Sequence, residues 1–170
     1  MSSVIANALD SSTGLVHLRD MRSILQLSLF VVGVVGVGWL IGGSNLPGSW
    51  YAALAKPIFV PPNWAFPVAW TVLYVMIAIA GWRTFRQSSA GAAMAVWLLQ
   101  LALNFLWSPV MFTMHRIGLA LTVLVCLFAA ILAYIALERG RDRIATALFL
   151  PYAAWVVFAG ALNAEIWRLN

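Results

Sequence analysis

Nine tryptophans in 170 residues are the densest chemistry this sequence holds: Trp39, Trp50, Trp64, Trp70, Trp82, Trp97, Trp107, Trp155 and Trp167. An indole offers a flat, polarisable face and one N–H donor. Several converging rings therefore suit a flat aromatic ligand, each contact adding roughly 0.5–1.5 kcal/mol beyond area burial. Trp39, Trp50, Trp82 and Trp167 fall near the ends of apolar stretches, where an interfacial aromatic belt accounts for them. Trp70, Trp107 and Trp155 instead lie toward one common end of three different stretches. For these, a ligand pocket and plain core packing are both open.

Amides are the second clue. Gln100 and Asn104 are four apart and share a helical face, and Asn163 lies near the end of the last apolar stretch. An amide in hydrocarbon must find a partner, so hydrogen bonding between helices and the positioning of a ligand's polar edge are both open. Pro109 and Pro151 interrupt helical hydrogen bonding and leave a carbonyl for the same purpose. Hydrolytic and metal chemistry is poorly supplied. There is no His-Glu-x-x-His, no carboxylate pair and no histidine inside a span, with His17 in the tail and His115 at a helix end. No metal site is expected, and a buried haem iron would lack an axial ligand. The single Cys126 permits neither a disulfide nor a cysteine metal site within one chain. Glu165 and Arg168, three apart, read as an interfacial ion pair.

The elements that must position these groups follow from composition. At 64% hydrophobic and 9% charged residues, with mean hydropathy +0.94, the chain has more apolar surface than a soluble domain of this size buries, and it needs lipid as solvent. The net charge of +5 comes from basic residues scattered singly between apolar runs, which excludes a nucleic-acid stripe. Apolar stretches at 24–41, 67–82, 92–112, 117–137 and 144–163 each approach the roughly 20 residues of a spanning helix. The second is short by this count, and a start near Trp64 would lengthen it. Residues 1–22 form a polar, serine-rich extension, expected to be poorly ordered, ahead of a membrane domain at 23–170. The run after it is longer than an export signal's core and lacks an Ala-x-Ala site, so a retained helix is expected.

Five spans put the termini on opposite sides, and the basic residues sort accordingly. Arg19, Arg22, Arg83, Arg86, Arg139, Arg141 and Arg143 share the amino-terminal side, against Lys56, Arg116 and Arg168 on the other. The asymmetry predicts a cytoplasmic amino terminus and an outer carboxyl terminus in a bacterial cell membrane. Most connections are short, as between antiparallel neighbours. Residues 42–66 are the exception: Gly42, Gly43, Pro47, Gly48, Pro57, Pro61 and Pro62 preclude a continuous helix, while Trp50, Tyr51, Phe59 and Trp64 are too apolar for a solvated linker. A lid folded back on the bundle is predicted. Gly38 and Gly42 form a GxxxG that suits either a dimer face or packing within the bundle. No internal repeat of the inverted-carrier kind is present.

The loop and second span read Trp50-Tyr51-Ala52-Ala53-Leu54-Ala55-Lys56-Pro57, Pro61-Pro62-Asn63-Trp64-Ala65-Phe66-Pro67 and Trp70-Thr71-Val72-Leu73-Tyr74. The third span carries Gln100-Leu101-Ala102-Leu103-Asn104-Phe105-Leu106-Trp107-Ser108-Pro109, and the fifth Pro151-Tyr152-Ala153-Ala154-Trp155 and Leu162-Asn163-Ala164-Glu165. In this order they resemble the TspO/MBR family of tryptophan-rich sensory and translocator proteins, over residues 24–170. The resemblance implies an all-α, integral membrane bundle of five transmembrane helices, often a homodimer, with a long lid-like loop between helices one and two. It implies a cavity lined by Trp70, Trp107 and Trp155, with Tyr74, Asn104, Ala159 and Leu162 nearby and Trp50, Lys56, Pro57 and Trp64 in the lid. The ligand it implies is a porphyrin of the protoporphyrin type, with no obligatory cofactor. Membrane lipids are the other expected partner.

The implied role is a receptor or carrier in tetrapyrrole homeostasis or stress signalling. Some bacterial relatives convert protoporphyrin under light, so the alternative is a porphyrin-degrading photo-oxidation for which Trp70 and Trp155 would be the catalytic candidates. Active export of small molecules is a third reading, and it lacks an intramembrane carboxylate other than interfacial Glu165. Animal members have a tyrosine in the segment aligned with residues 162–168, where this chain has Ala164 and Glu165. That form resembles the bacterial branch rather than a sterol binder.

Overall fold

A computed structural model describes the backbone of residues 2–170 and the side chains of residues 20–170. Its helices are α1 (Ser2–Ser44), α2 (Gly48–Ala53), α3 (Ala65–Gln87), α4 (Ala92–Ser108), α5 (Ile117–Glu138) and α6 (Arg143–Leu169), with no strand among the described residues. A π-helical turn, Pro109–Thr113, prolongs α4. Five segments are long and apolar enough to cross a membrane: Asp20–Ser44, Ala65–Gln87, Ala92–Thr113, Ile117–Glu138 and Arg143–Leu169. The chain is a multi-pass, all-α membrane protein. The expected poor order of residues 1–22 falls for the most part outside the residues whose side chains are described.

Boundaries differ from the apolar runs where polar residues find partners. Helix α3 starts one residue after Trp64 and continues past Trp82 to Gln87. Hydropathy misses this last turn because Arg83, Thr84 and Gln87 are polar, yet each hydrogen-bonds to α5 or to the turn before α6. At the end of α4, Pro109 has no N–H to donate, and the helix widens so that Met114 N donates to the Pro109 carbonyl at 2.9 Å. His115 then takes a left-handed φ of 55° and turns the chain into α5. Pro151 sits inside α6 without ending it.

The spans pack in a ring, α1 on α3, α3 on α6, α6 on α5 and α5 on α4, while α1 meets α4 only lightly. The core fills the ring with Ile77, Leu127, Ile131, Tyr134, Phe149 and Tyr152, all fully buried. Two glycines permit the closest approaches. A Cβ at Gly81 would overlap the Trp97 indole, and one at Gly38 would overlap the Tyr74 ring. Gly38, the first glycine of the GxxxG, thus serves packing within the bundle.

Charge closes the bundle at the end opposite the lid. Asp142 caps α6, its Oδ1 accepting from Ile144 N at 2.9 Å and Ala145 N at 3.0 Å, and its Oδ2 accepts from Arg83 Nε at 2.8 Å and Gln87 Nε2 at 3.1 Å. Burial alone would raise this carboxyl, but the Arg83 hydrogen bonds and charge and the two backbone N–H groups hold it below the usual carboxylate range. Glu138, four residues earlier, is also fully buried, with Oε1 accepting from Thr84 Oγ1 at 3.2 Å and Oε2 unpartnered. The two carboxylates lie four residues apart, and each is held by its own partners rather than by the other.

Because its folded-state affinity for protons is depressed, Asp142 stabilises the bundle above its unfolded pKa, about 3.9, and that contribution disappears as pH falls through the folded value. Asp142→Asn should cost about 1.5–3 kcal/mol at neutral pH. It should also flatten the acid limb of the stability curve. Melting in detergent from pH 3 to 7 checks this, and parallel wild-type and variant curves would sink it.

Candidate functional site

Under the lid lies a cavity of about 460 Å³, bounded by α1, α3, α4 and its π turn, and α6. That volume falls within the usual range for small-molecule sites, roughly 300–1,000 Å³. Each helix contributes because its small or aromatic residues face inward at helical spacing. Helix α3 supplies Phe66, Trp70, Thr71 and Tyr74, α4 supplies Asn104 and Trp107, and α6 supplies Trp155, Ala159, Leu162, Asn163 and Ile166. Helix α1 adds Gly38, Trp39, Gly42 and Gly43, and the loop segment adds Leu46, Pro47, Tyr51 and Asn63. None of the lining residues is charged.

Trp70 is the hub of the aromatic wall. It stacks on Tyr74 at 5.5 Å and 27°, and it meets Trp155 edge-on at 6.4 Å and 86°. Phe66 abuts Trp155 at 6.1 Å, and Trp107 meets Phe112 at 5.5 Å and 79°. The arrangement leaves indole faces in two nearly perpendicular planes around one space, the geometry that suits a flat polarisable ring.

The floor is a directed chain of hydrogen bonds. Tyr74 Oη donates to Asn104 Oδ1 at 3.0 Å, Asn104 Nδ2 to Tyr152 Oη at 2.9 Å, and Tyr152 Oη to Gln100 Oε1 at 3.0 Å. Gln100 Nε2 ends the chain on the Trp97 carbonyl at 2.9 Å. Gln100 is wholly structural, while Asn104 is structural and also lines the cavity. After its bond to Tyr152, Asn104 retains one N–H. On the lid side, Trp107 Nε1 donates to Asn163 Oδ1 at 3.2 Å, and Asn163 Nδ2 donates to the Ile117 carbonyl at 2.9 Å. Trp155 Nε1 is buried with no partner.

The lid is pinned from several sides. Trp50 stacks on His115 at 4.1 Å and 16°, and Tyr51 meets Phe112 edge-on at 5.3 Å. Asn170 grips Ala55, accepting from its N at 3.1 Å and donating to its carbonyl at 3.1 Å. Lys56 Nζ donates to the carbonyls of Ala52 at 3.1 Å and Leu54 at 3.0 Å and lies 4.7 Å from the Tyr51 ring centroid. Asn45 and Thr113 hydrogen-bond across the mouth. Burial holds the Tyr51 phenol above its ordinary pKa, so it stays protonated there.

The seven residues expected in the cavity, Trp70, Tyr74, Asn104, Trp107, Trp155, Ala159 and Leu162, are brought together around it. The four named for the lid, Trp50, Lys56, Pro57 and Trp64, lie in the loop without lining the space, and Trp64 is 69% exposed. Sequence reasoning missed Trp39, read there as belt, whose Nε1 donates to Thr71 Oγ1 at 3.2 Å at the cavity wall. It also missed Tyr51, Met111 and Ile166. Helical spacing gave a usable signal for Ile166, four residues beyond Leu162. Among the described residues no three His, Cys, Asp or Glu side chains converge as a metal site would need.

The model of the TspO/MBR family matches residues 28–168. The chain is 40% identical to "Protein CrtK" of Rhodobacter capsulatus, over 86% of this chain and 95% of that protein. It is 38% identical to a tryptophan-rich sensory protein of Cereibacter sphaeroides, over 85% and 91%, and 30% identical to the translocator protein of Homo sapiens, over 79% and 84%. With its five spans, its lidded tryptophan cavity and these matches along most of its length, the chain belongs to the TspO/MBR family.

Proposed function

We propose that the protein binds a porphyrin of the protoporphyrin type in the cavity beneath the lid, within the membrane receptor or carrier role that family membership supports. The observation that carries this reading is the uncharged space walled by Trp70, Trp107 and Trp155, with Trp155 Nε1 lacking a partner. The macrocycle lies against the indole faces, and an acceptor on its edge takes the Trp155 or Asn104 N–H. Its carboxylates stay toward the mouth, since nothing cationic lines the interior. The absence of histidine and cysteine from the wall favours a metal-free ring. In this reading the arginine-rich end faces the cytoplasm of a bacterial cell. Two copies pair along the open face of α1, where a Cβ at Gly33 or Gly36 would meet nothing within 4 Å.

Titrating protoporphyrin into the detergent-solubilised protein while following tryptophan fluorescence tests the site. Quenching should saturate, and Trp70→Ala and Trp155→Ala should each weaken binding about 30-fold, the roughly 2 kcal/mol expected of a buried aromatic anchor. Non-saturable quenching that survives both substitutions would remove the assignment. The light-driven reading rests on the perpendicular Trp70 and Trp155 indoles at the bound ring. Illumination of the same complex separates the two readings: porphyrin absorbance that decays no faster than free porphyrin in that detergent leaves binding alone.

A further inference from the structure

At the arginine-rich end, remote from the lid, a second recess of about 270 Å³ is lined by Trp82, Arg83, Arg86, Gln87 and Asp142. We propose that it binds an anionic phosphate group, of the kind that a phospholipid headgroup or a free phosphate presents. The inference does not depend on what occupies the cavity under the lid.

Donors outnumber acceptors around the recess. Both Asp142 oxygens are taken, Oδ1 by Ile144 N, Ala145 N and Arg83 Nη2, and Oδ2 by Arg83 Nε and Gln87 Nε2. What remains around the recess is mostly donor. Arg83 retains Nη1. The Arg86 guanidinium carbon lies 5.0 Å from the Trp82 ring centroid, and among the described residues only its Nη1 is engaged, on Ser23 Oγ at 3.2 Å. The Trp82 indole Nε1 is buried without a partner. Among the lining residues two guanidiniums face one carboxylate, with Glu138 buried four residues before Asp142 and outside the lining. A recess rich in unmet N–H donors, with one surplus positive charge in its lining, fits a group with several acceptor oxygens and one negative charge, and guanidinium forks match phosphate geometrically. The recess lies at the end of a span, and basic recesses at span ends take anionic headgroups. The exposed Arg139, Arg141 and Arg143 on the adjoining turn add to the attraction.

Native mass spectrometry of the full chain, offered dioleoylphosphatidylglycerol or dioleoylphosphatidylcholine, tests this, with inorganic phosphate as a separate arm read by thermal shift. The variants are Arg86→Gln, which leaves the Arg83–Asp142 pair intact, and Trp82→Phe, which removes the N–H and keeps a ring. Retention of phosphatidylglycerol over phosphatidylcholine, reduced about tenfold or more in both variants, is expected. Far-UV circular dichroism and the melting midpoint without ligand should be unchanged in both, which shows that the bundle is intact. Stabilisation by inorganic phosphate that is lost in Arg86→Gln also supports the site and makes a free anion sufficient, whereas a phosphatidylglycerol response without a phosphate response makes the ligand a lipid. Equal retention of the two lipids with no phosphate response, or binding that neither variant weakens, overturns the proposal.

Discussion

Tyr152→Phe should lower the stability of the bundle by about 2–4 kcal/mol, although it deletes a single oxygen. The hydroxyl is fully buried and is the middle link of the floor, accepting from Asn104 and donating to Gln100. Removing it strands an Asn104 N–H and the Gln100 carbonyl oxygen in a dry interior, at roughly 1–3 kcal/mol for each buried group left unsatisfied. Substitution of Tyr74 by Phe should cost less, because it strands one acceptor, the Asn104 oxygen, rather than a donor and an acceptor. Denaturation in mild detergent, followed by far-UV circular dichroism, gives the comparison. Equal midpoints for wild type and Tyr152→Phe would show that the chain of hydrogen bonds contributes nothing to the fold.

Ala159→Phe should weaken porphyrin binding by about 100-fold or more, equivalent to roughly 3 kcal/mol, while leaving the helices in place. Ala159 sits on the α6 wall one turn from Trp155, and its side chain is the small surface against which a ring must lie. A benzyl group there occupies part of the 460 Å³ without removing any indole or any donor. The effect is therefore separable from the loss of an aromatic contact, which the Trp70 and Trp155 substitutions measure. Unchanged circular dichroism with lost binding is the expected pair of results.

How much of this was legible before any coordinates varied with the kind of force involved. The spans follow from apolar runs, because lipid imposes the same length and the same backbone satisfaction on every crossing. The convergence of Trp70, Trp107 and Trp155 follows from their positions at the lid-side ends of three spans. Asn104 was legible as a polar group forced to find a partner, but not Tyr152 as that partner, since nothing local to residue 104 points 48 residues onward. Trp39 is 58% exposed at a span end, as a belt residue is, and it also lines the cavity, a second contact that sequence does not distinguish from the first. The buried Glu138 and Asp142 were hidden because charges beside a turn ordinarily face water, and only the extra turn of α3 carrying Arg83, Thr84 and Gln87 covers them. The close contact of Gly81 with Trp97 was likewise beyond reach, as it depends on the separation of α3 and α4 rather than on either helix alone.

The central claim is that the lidded cavity is the porphyrin site, and equilibrium titration of protoporphyrin into wild type and Ala159→Phe side by side tests it most directly. The wild type should show one saturable site per chain, and the variant, melting normally, an affinity reduced about 100-fold. Binding of equal affinity and stoichiometry to both proteins would contradict it.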